Sequence, residues 1–288
     1  MKPAPFDYVA PGTVAETLEL LTRHGEDGKL LAGGQSLMPM LNFRIAQPET
    51  LIDINNLDEL SYITSHGQTL HIGALTRHAA LERSPLVAAG WPLLTEALRQ
   101  LAHAPIRNRG TIGGSVAHAD PAAELPVALT ALDACFIADS ERGRRVLDPG
   151  EMFIGSLQSG LAPDELLVEI RIPAMAPGSG SAFLEHARRH GDFALGGAAV
   201  VLARDGARCR PGSARVVLLG AGTGPLRVTD AEALLSGRPV DEAAATGAGE
   251  AAARAARPPS DPHATADHRR RLASVLTRRA VLRAWERA

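Results

Sequence analysis

The sequence predicts a globular protein of mixed helix and strand, divided into two or three modest domains. Three observations carry this. The chain has 288 residues, close to the size at which single cores give way to several domains. It is 45% hydrophobic and 22% charged, an ordinary globular balance that excludes disorder throughout. Through the first hundred residues, short apolar runs alternate with helical patterns in the manner of an α/β protein.

The elements follow in order. Thr13, with Glu16 three residues on, reads as a capping box opening a helix from Val14 to His24, and Gly25 stops it. Lys29 to Ala32 is a short strand running into Gly33-Gly34, and Thr50 to Ile54 is another, closed by Asn55-Asn56. A strand pair follows, Leu60 to Thr64 and Thr69 to Gly73, around a His66-Gly67-Gln68 turn. Thr76 reads as the cap of a helix through Leu81, and Trp91 to Leu101 as a further helix. A second glycine loop, Gly110 to Ser115, precedes a helix over Ala123 to Leu132, with Asp120 placed to cap it. Strands are expected at Cys135 to Ala138 and Glu165 to Ile172, and PAMAPGSGS, around residues 174–181, reads as an interdomain linker. Beyond it come strands at Ala194 to Ala203 and Ala214 to Leu219, a helix at Asp230 to Leu235, an alanine-rich helix over 241–256 and a basic helix over 266–287.

Composition excludes several functions. Net charge is −2 and aromatic content 3%, with a pI near 6.6, so neither a basic field nor a stacking surface recommends nucleic acid. The two cysteines, Cys135 and Cys209, are too few for a disulfide scaffold or for a cysteine-ligated cluster on this chain alone. The opening residues lack the apolar core of a secretory signal, and no apolar stretch approaches the roughly 20 residues of a membrane span. A soluble, cytoplasmic protein without a transmembrane segment is the expectation.

The two glycine loops are the strongest chemical signal. Leu31-Ala32-Gly33-Gly34-Gln35-Ser36-Leu37 and Gly110-Thr111-Ile112-Gly113-Gly114-Ser115-Val116 share one grammar: an apolar residue, Gly-Gly, then small polar side chains. Adjacent glycines let successive backbone N–H groups face one point and let an anion approach. Two such loops suit the two phosphates of a dinucleotide, while a pair of tight turns accounts for the same residues. Other motifs fail. There is no Gly-Lys-Ser/Thr phosphate loop and no H-E-x-x-H. Gly220-Ala221-Gly222-Thr223-Gly224-Pro225 imitates a dinucleotide fingerprint but has Pro225 at the third glycine position, so it reads as a turn. His186 and His190, four apart, read as a solvated helical turn and not as metal ligands. Asp120-Pro121-Ala122-Ala123-Glu124 follows the second loop, with Glu124 in a first helical turn where a carboxylate is favoured. The basic final helix reads as a solvated face or as a subunit contact.

Four segments carry a family resemblance: AGGQSLMPMLNFRIAQPETLIDI (32–54), IRNRGTIGGSVAHADPAAELP (106–126), ARRHGDFALGGAAV (187–200) and RRRLASVLTRRAV (269–281). They span nearly the whole chain, and the sequence resembles the flavin-binding medium subunit of the molybdenum hydroxylases, the group of carbon-monoxide dehydrogenase and the xanthine dehydrogenase relatives. The resemblance implies an α+β fold: a two-subdomain FAD-binding domain related to that of vanillyl-alcohol oxidase (residues 1–56 and 57–175), then a C-terminal α+β domain over 179–288. It implies that Leu31, Ala32, Gly33, Gly34, Gln35, Ser36 and Leu37, together with Gly110, Thr111, Gly114 and Ser115, hold the pyrophosphate and adenosine ends of FAD. His118, Ala123 and Glu124 match positions near the ribityl chain and flavin, Leu167 an apolar contact on the adenine side, and Asp192-Phe193 the segment approaching the isoalloxazine ring. Leu101 is included among the cofactor-binding positions. Gln35 stands where some relatives have histidine and Ser115 where many have asparagine, and Leu184 and His186 fall where some place a lysine near the flavin. No catalytic or metal-ligating residue is expected on the chain.

The implied function is an FAD-binding electron-transfer subunit. Molybdenum cofactor would reside on a large partner subunit and [2Fe–2S] clusters on a small one, in a dimer of heterotrimers. Two cysteines argue against the benzoyl-CoA reductase branch, which carries an inserted cysteine-rich loop. Two alternatives remain at this stage: a stand-alone FAD-dependent oxidoreductase, and an assembly subunit without flavin.

Overall fold

A computed structural model describes all residues, 1–288. The chain runs β1 (Asp7–Val9), α1 (Val14–His24), β2 (Gly28–Leu31), α2 (Leu37–Asn42) and β3 (Thr50–Asp53). These three strands form a small parallel sheet in the order β1-β3-β2. Parallel neighbours need a crossover: α2 lies in the connection between the paired β2 and β3, and α1 carries the chain from β1 to β2, on the other side of β3. The N-terminus of α1 is capped by Thr13, whose Oγ1 accepts from the Glu16 N–H at 3.1 Å. The Glu16 carboxylate accepts not from Thr13 but from the Gly12 N–H, at 2.8 Å.

The middle of the chain comprises β4 (Ile63–His66), β5 (Thr69–Gly73), α3 (His78–Arg83), α4 (Pro85–Gly90), α5 (Pro92–Gln100), α6 (Ala104–Arg109), α7 (Ile112–His118) and α8 (Glu124–Ala131). It continues through β6 (Cys135–Ser140), β7 (Gly143–Leu147), α9 (Pro149–Met152), β8 (Phe153–Gly155), β9 (Gln158–Ser159) and β10 (Leu166–Pro173). The sheet here has the order β4-β5-β10-β6-β7, with every pair antiparallel. Two caps differ from expectation. Thr76 does not open α3, because its hydroxyl donates to the Tyr62 carbonyl at 2.9 Å and is used in joining the strand entry. Asp120 does not cap α8, which begins at Glu124; its carboxylate accepts from the Ala122 N–H at 2.8 Å in a local turn.

The last part holds β11 (Ser179–His186), β12 (Gly196–Asp205), β13 (Arg208–Cys209), β14 (Arg215–Leu219), β15 (Leu226–Arg227), α10 (Thr229–Leu235), α11 (Glu242–Ala255) and α12 (Ala266–Glu286). Its sheet is antiparallel, β11-β12-β14-β15, with β11 paired to β12 along its full length. That pairing overturns two expectations. The stretch from Ser179 is strand and not linker, and His186 ends that strand instead of opening a helical turn with His190. Local spacing suggested helix, but ladder hydrogen bonds to β12 decide the conformation.

This sheet has two covered faces. Ala182, Ala198, Val200, Val216 and Leu218 pack against α11 and α12. The alternate residues Phe183, Ala199, Val201, Val217 and Leu219 join the main core with Leu125, Ala128 and Leu129 of α8 and Leu94 and Leu98 of α5. The period of two along each strand sorts the residues between the two cores. Gly180 lies where a Cβ would sit 2.5 Å from the Ala288 nitrogen, so the end of the chain seats directly on β11. No helix is long and apolar enough to cross a membrane.

Candidate cofactor site

The first glycine loop leaves β2 and turns into α2. Gly34 takes the left-handed conformation, φ 71°, which an L side chain resists. From Ala32 to Leu37, six consecutive backbone N–H groups donate to no carbonyl of the chain. Gly33 itself is buried and Ala32, Gly34, Gln35 and Leu37 are half-buried. Amides withdrawn from water call for an acceptor, and an anion with several oxygens meets that demand.

The second loop behaves differently. Thr111 caps α7, and its Oγ1 accepts from the Gly114 N–H at 3.1 Å. The N–H groups of Ile112, Gly113 and Ser115 donate to the carbonyls of Thr76, Ala74 and Thr111 at 3.0, 2.8 and 3.1 Å. Its amides are thus used in folding, and the expectation of two matching rows of free donors holds for the first loop alone. What the second loop supplies is close approach. A Cβ on Gly33 would lie 2.5 Å from the Arg109 carbonyl oxygen and 2.8 Å from the Gly110 Cα. The two loops therefore pack backbone to backbone.

A clamp that the sequence reading missed joins them. Asn55 Nδ2 donates to the Ala32 carbonyl at 2.8 Å, and Arg77 Nη2 donates to Asn55 Oδ1 at 2.7 Å. The same guanidinium reaches the Arg109 carbonyl through Nη1. Asn55 and Arg77 so fix the first loop against the entry to the second. Their only trace in the sequence is a strand-ending Asn-Asn and a lone arginine after Thr76; neither advertises a partner far along the chain. Beneath Gly110 lies His78, held neutral by burial, which pushes its pKa down to about 4.

The second half of the candidate site lies where the last sheet meets α8. An open cavity of about 590 Å³ is lined by Pro121 and Ala122 on one side and by Asp192, Phe193 and Leu195 on the other. Phe193 is 71% exposed, an aromatic side chain at the mouth without a partner. Ala123 is the residue preceding α8 and His118 ends α7, half-buried. Glu124 is 6% exposed, and burial raises its pKa to about 7, with Asp120 adding like charge. Leu101 and Leu167 are 7% and 5% exposed and belong to the main core.

The chain matches two family models: "FAD binding domain in molybdopterin dehydrogenase" over residues 4–175 and "CO dehydrogenase flavoprotein C-terminal domain" over residues 181–284. The chain belongs to this family of molybdopterin-dehydrogenase flavoprotein subunits. The flavoprotein is 43% identical to the 6-hydroxypseudooxynicotine dehydrogenase complex subunit alpha of Paenarthrobacter nicotinovorans, over 100% of this chain and 97% of that protein. It is also 43% identical to the caffeine dehydrogenase subunit beta of Pseudomonas sp. (strain CBB1), with the same coverage. In structure it is similar to a chain of carbon monoxide dehydrogenase from Hydrogenophaga pseudoflava, with a TM-score of 0.97, 41% identity and 100% of both chains covered. The fold expected from the resemblance, an FAD-binding domain followed by a C-terminal domain, is thus the fold observed, and the flavoprotein is a subunit type of oxidoreductase complexes.

Proposed function

We infer that this flavoprotein is the electron-transfer subunit of a multi-subunit molybdenum hydroxylase, taking electrons from [2Fe–2S] clusters on a small partner subunit and passing them to an external acceptor. The observation that carries the reading is the row of free amides from Ala32 to Leu37, backed by a second loop in van der Waals contact with it. That arrangement suits a pyrophosphate, with Ser36, Thr111 and Ser115 as neutral side chains nearby. When bound, FAD supplies the redox chemistry, and the chain's own residues bind and orient it. The first loop cradles phosphate, Asn55 and Arg77 hold that loop in register, and Ala123, Glu124 and Asp192 border the flavin end. Phe193 offers an aromatic face at the cavity mouth for the isoalloxazine ring, and the open cavity leaves a route for an acceptor. Similarity to subunits of dehydrogenase complexes supports assembly with partner chains; in this reading these are a large molybdenum-cofactor subunit and a small iron–sulfur subunit, in a cytoplasmic dimer of heterotrimers.

The test is purification through a tag on this chain, followed by a visible spectrum. A flavin spectrum overlaid with iron–sulfur absorption, with two further chains present, is expected. Flavin on a chain that turns over substrate without partners would replace this reading with a stand-alone oxidoreductase.

A further inference from the structure

The loop that brings Asp192 and Phe193 to the cavity turns sharply at its tip. The Asp192 N–H donates to the Arg189 carbonyl at 3.1 Å. Gly191, at the third position of that turn, takes φ 86°, the left-handed conformation a type II turn requires there. The space on its side-chain side is filled. A Cβ on Gly191 would lie 2.6 Å from Nδ1 and 2.8 Å from Nε2 of His103. The His190 ring is inclined to the same imidazole, with centroids 6.3 Å apart. Glycine is thus needed twice at 191, for the backbone and for the imidazole that stands where a side chain would.

His103 is itself fixed by the FAD-binding domain. It follows Ala102, a non-glycine residue in the left-handed region, φ 43°, and such a bend persists only where its surroundings determine it. Arg107 of α6 does so. Its Nη1 donates to the Leu101 and Ala102 carbonyls at 2.9 and 3.1 Å, and its Nε pairs with the Glu82 carboxylate at 2.8 Å. At the other end of α6, the Arg109–Gly110 backbone meets Gly33 and the Arg77 guanidinium. One short helix therefore touches the cavity loop through the residue before its first turn and the first glycine loop through its last. Phe193 lies two residues beyond the seated glycine and is 71% exposed, so its position follows that of the turn.

We propose that His103 is a positioning residue: its ring is the seat of the Arg189–Asp192 turn, and through α6 it sets Asp192 and Phe193 in register with the first glycine loop. The contact is one of shape, an aromatic ring against a glycine, so a ring without nitrogens serves as well. The consequence for the flavin rests on the flavin reading above; the seating of the turn does not.

The experiment compares the full-length wild type, as purified, with His103→Ala and His103→Phe. Hydrogen exchange is followed across residues 187–195, and visible circular dichroism is recorded on the flavin-loaded protein. His103→Ala should speed exchange of the Asp192 amide about tenfold, and His103→Phe should restore the wild-type rate. Unchanged exchange in His103→Ala overturns the seat, and fast exchange in both variants overturns ring packing as its basis. At matched FAD content, His103→Ala should alter the flavin dichroism in the same direction as Phe193→Ala, with His103→Phe like the wild type. Fast exchange with unaltered dichroism overturns the claim that the seat sets the flavin's surroundings. If the chain holds no FAD, the flavin reading fails, while the exchange rates still decide whether His103 seats the turn.

Discussion

Gly33 and Arg77 show how single residues set the candidate cofactor site. A side chain at Gly33 meets backbone at 2.5 and 2.8 Å, and backbone cannot step aside as a flexible side chain would. Gly33→Val is therefore expected to part the two loops and to abolish FAD retention, read as the flavin-to-protein absorbance ratio. Unchanged flavin content would remove the first loop from the site. Arg77 tests the same geometry without touching a glycine. Its guanidinium spans Asn55 and the Arg109 carbonyl, so Arg77→Met removes the clamp and leaves the loop residues intact. The expected result is FAD binding weakened by about tenfold, the equivalent of one lost charge-assisted hydrogen bond, roughly 1.5 kcal/mol. Equal affinity in the variant would mean that the loops hold each other unaided.

At the scale of elements, α12 explains what a run of arginines does in a helix that looks merely solvated. Arg269 is 9% exposed. Its Nη1 donates to the Leu195 carbonyl at 2.9 Å and its Nη2 to Asp261 at 2.6 Å. The Leu195 N–H in turn donates to the His186 carbonyl at 2.7 Å, so one arginine closes the base of the loop that carries Asp192 and Phe193. Further along, Arg204 of β12 stacks on Trp285 of α12, 4.1 Å from the ring centroid, a contact that adds to the helix–sheet packing. Arg269→Ala leaves the Leu195 carbonyl and Asp261 without their donor and should cost about 2–4 kcal/mol in denaturant unfolding. A loss below about 0.5 kcal/mol would show that water replaces the guanidinium freely.

For the whole molecule, the decisive feature is that one face of the last sheet completes the core of the FAD-binding domain. Phe183 is 3% exposed and belongs to the same cluster as Trp91, Leu125 and Phe136. Both parts are thereby expected to unfold as one cooperative unit, giving a single calorimetric transition. Phe183→Ala should lower stability by about 3–5 kcal/mol and shift that one transition. Two separate transitions, with only the later part of the chain affected, would show that the two cores are independent.

Much of this was legible from local patterns. The helix Val14–His24 with its Thr13 cap and Gly25 stop, the strand at Thr69–Gly73 and the long helices near the end of the chain follow from periodicity and capping, which act over a few residues. The first glycine loop was legible for the same reason, since the positive φ of Gly34 is a property of a short segment. The second loop's amides were not, because their acceptors are the Ala74 and Thr76 carbonyls some forty residues earlier. Strand β11 was hidden for a similar reason: Ser179 to His186 is strand because β12 pairs with it. The Asn55–Arg77 clamp exists only once distant elements pack. Sequence alone thus determined the local conformations and the chemical character of the first glycine loop, where the interactions are short-range in the chain. Tertiary structure alone decided which donors remain free and which are used in folding, because hydrogen-bond partners and burial are set by residues far apart in sequence and close in space.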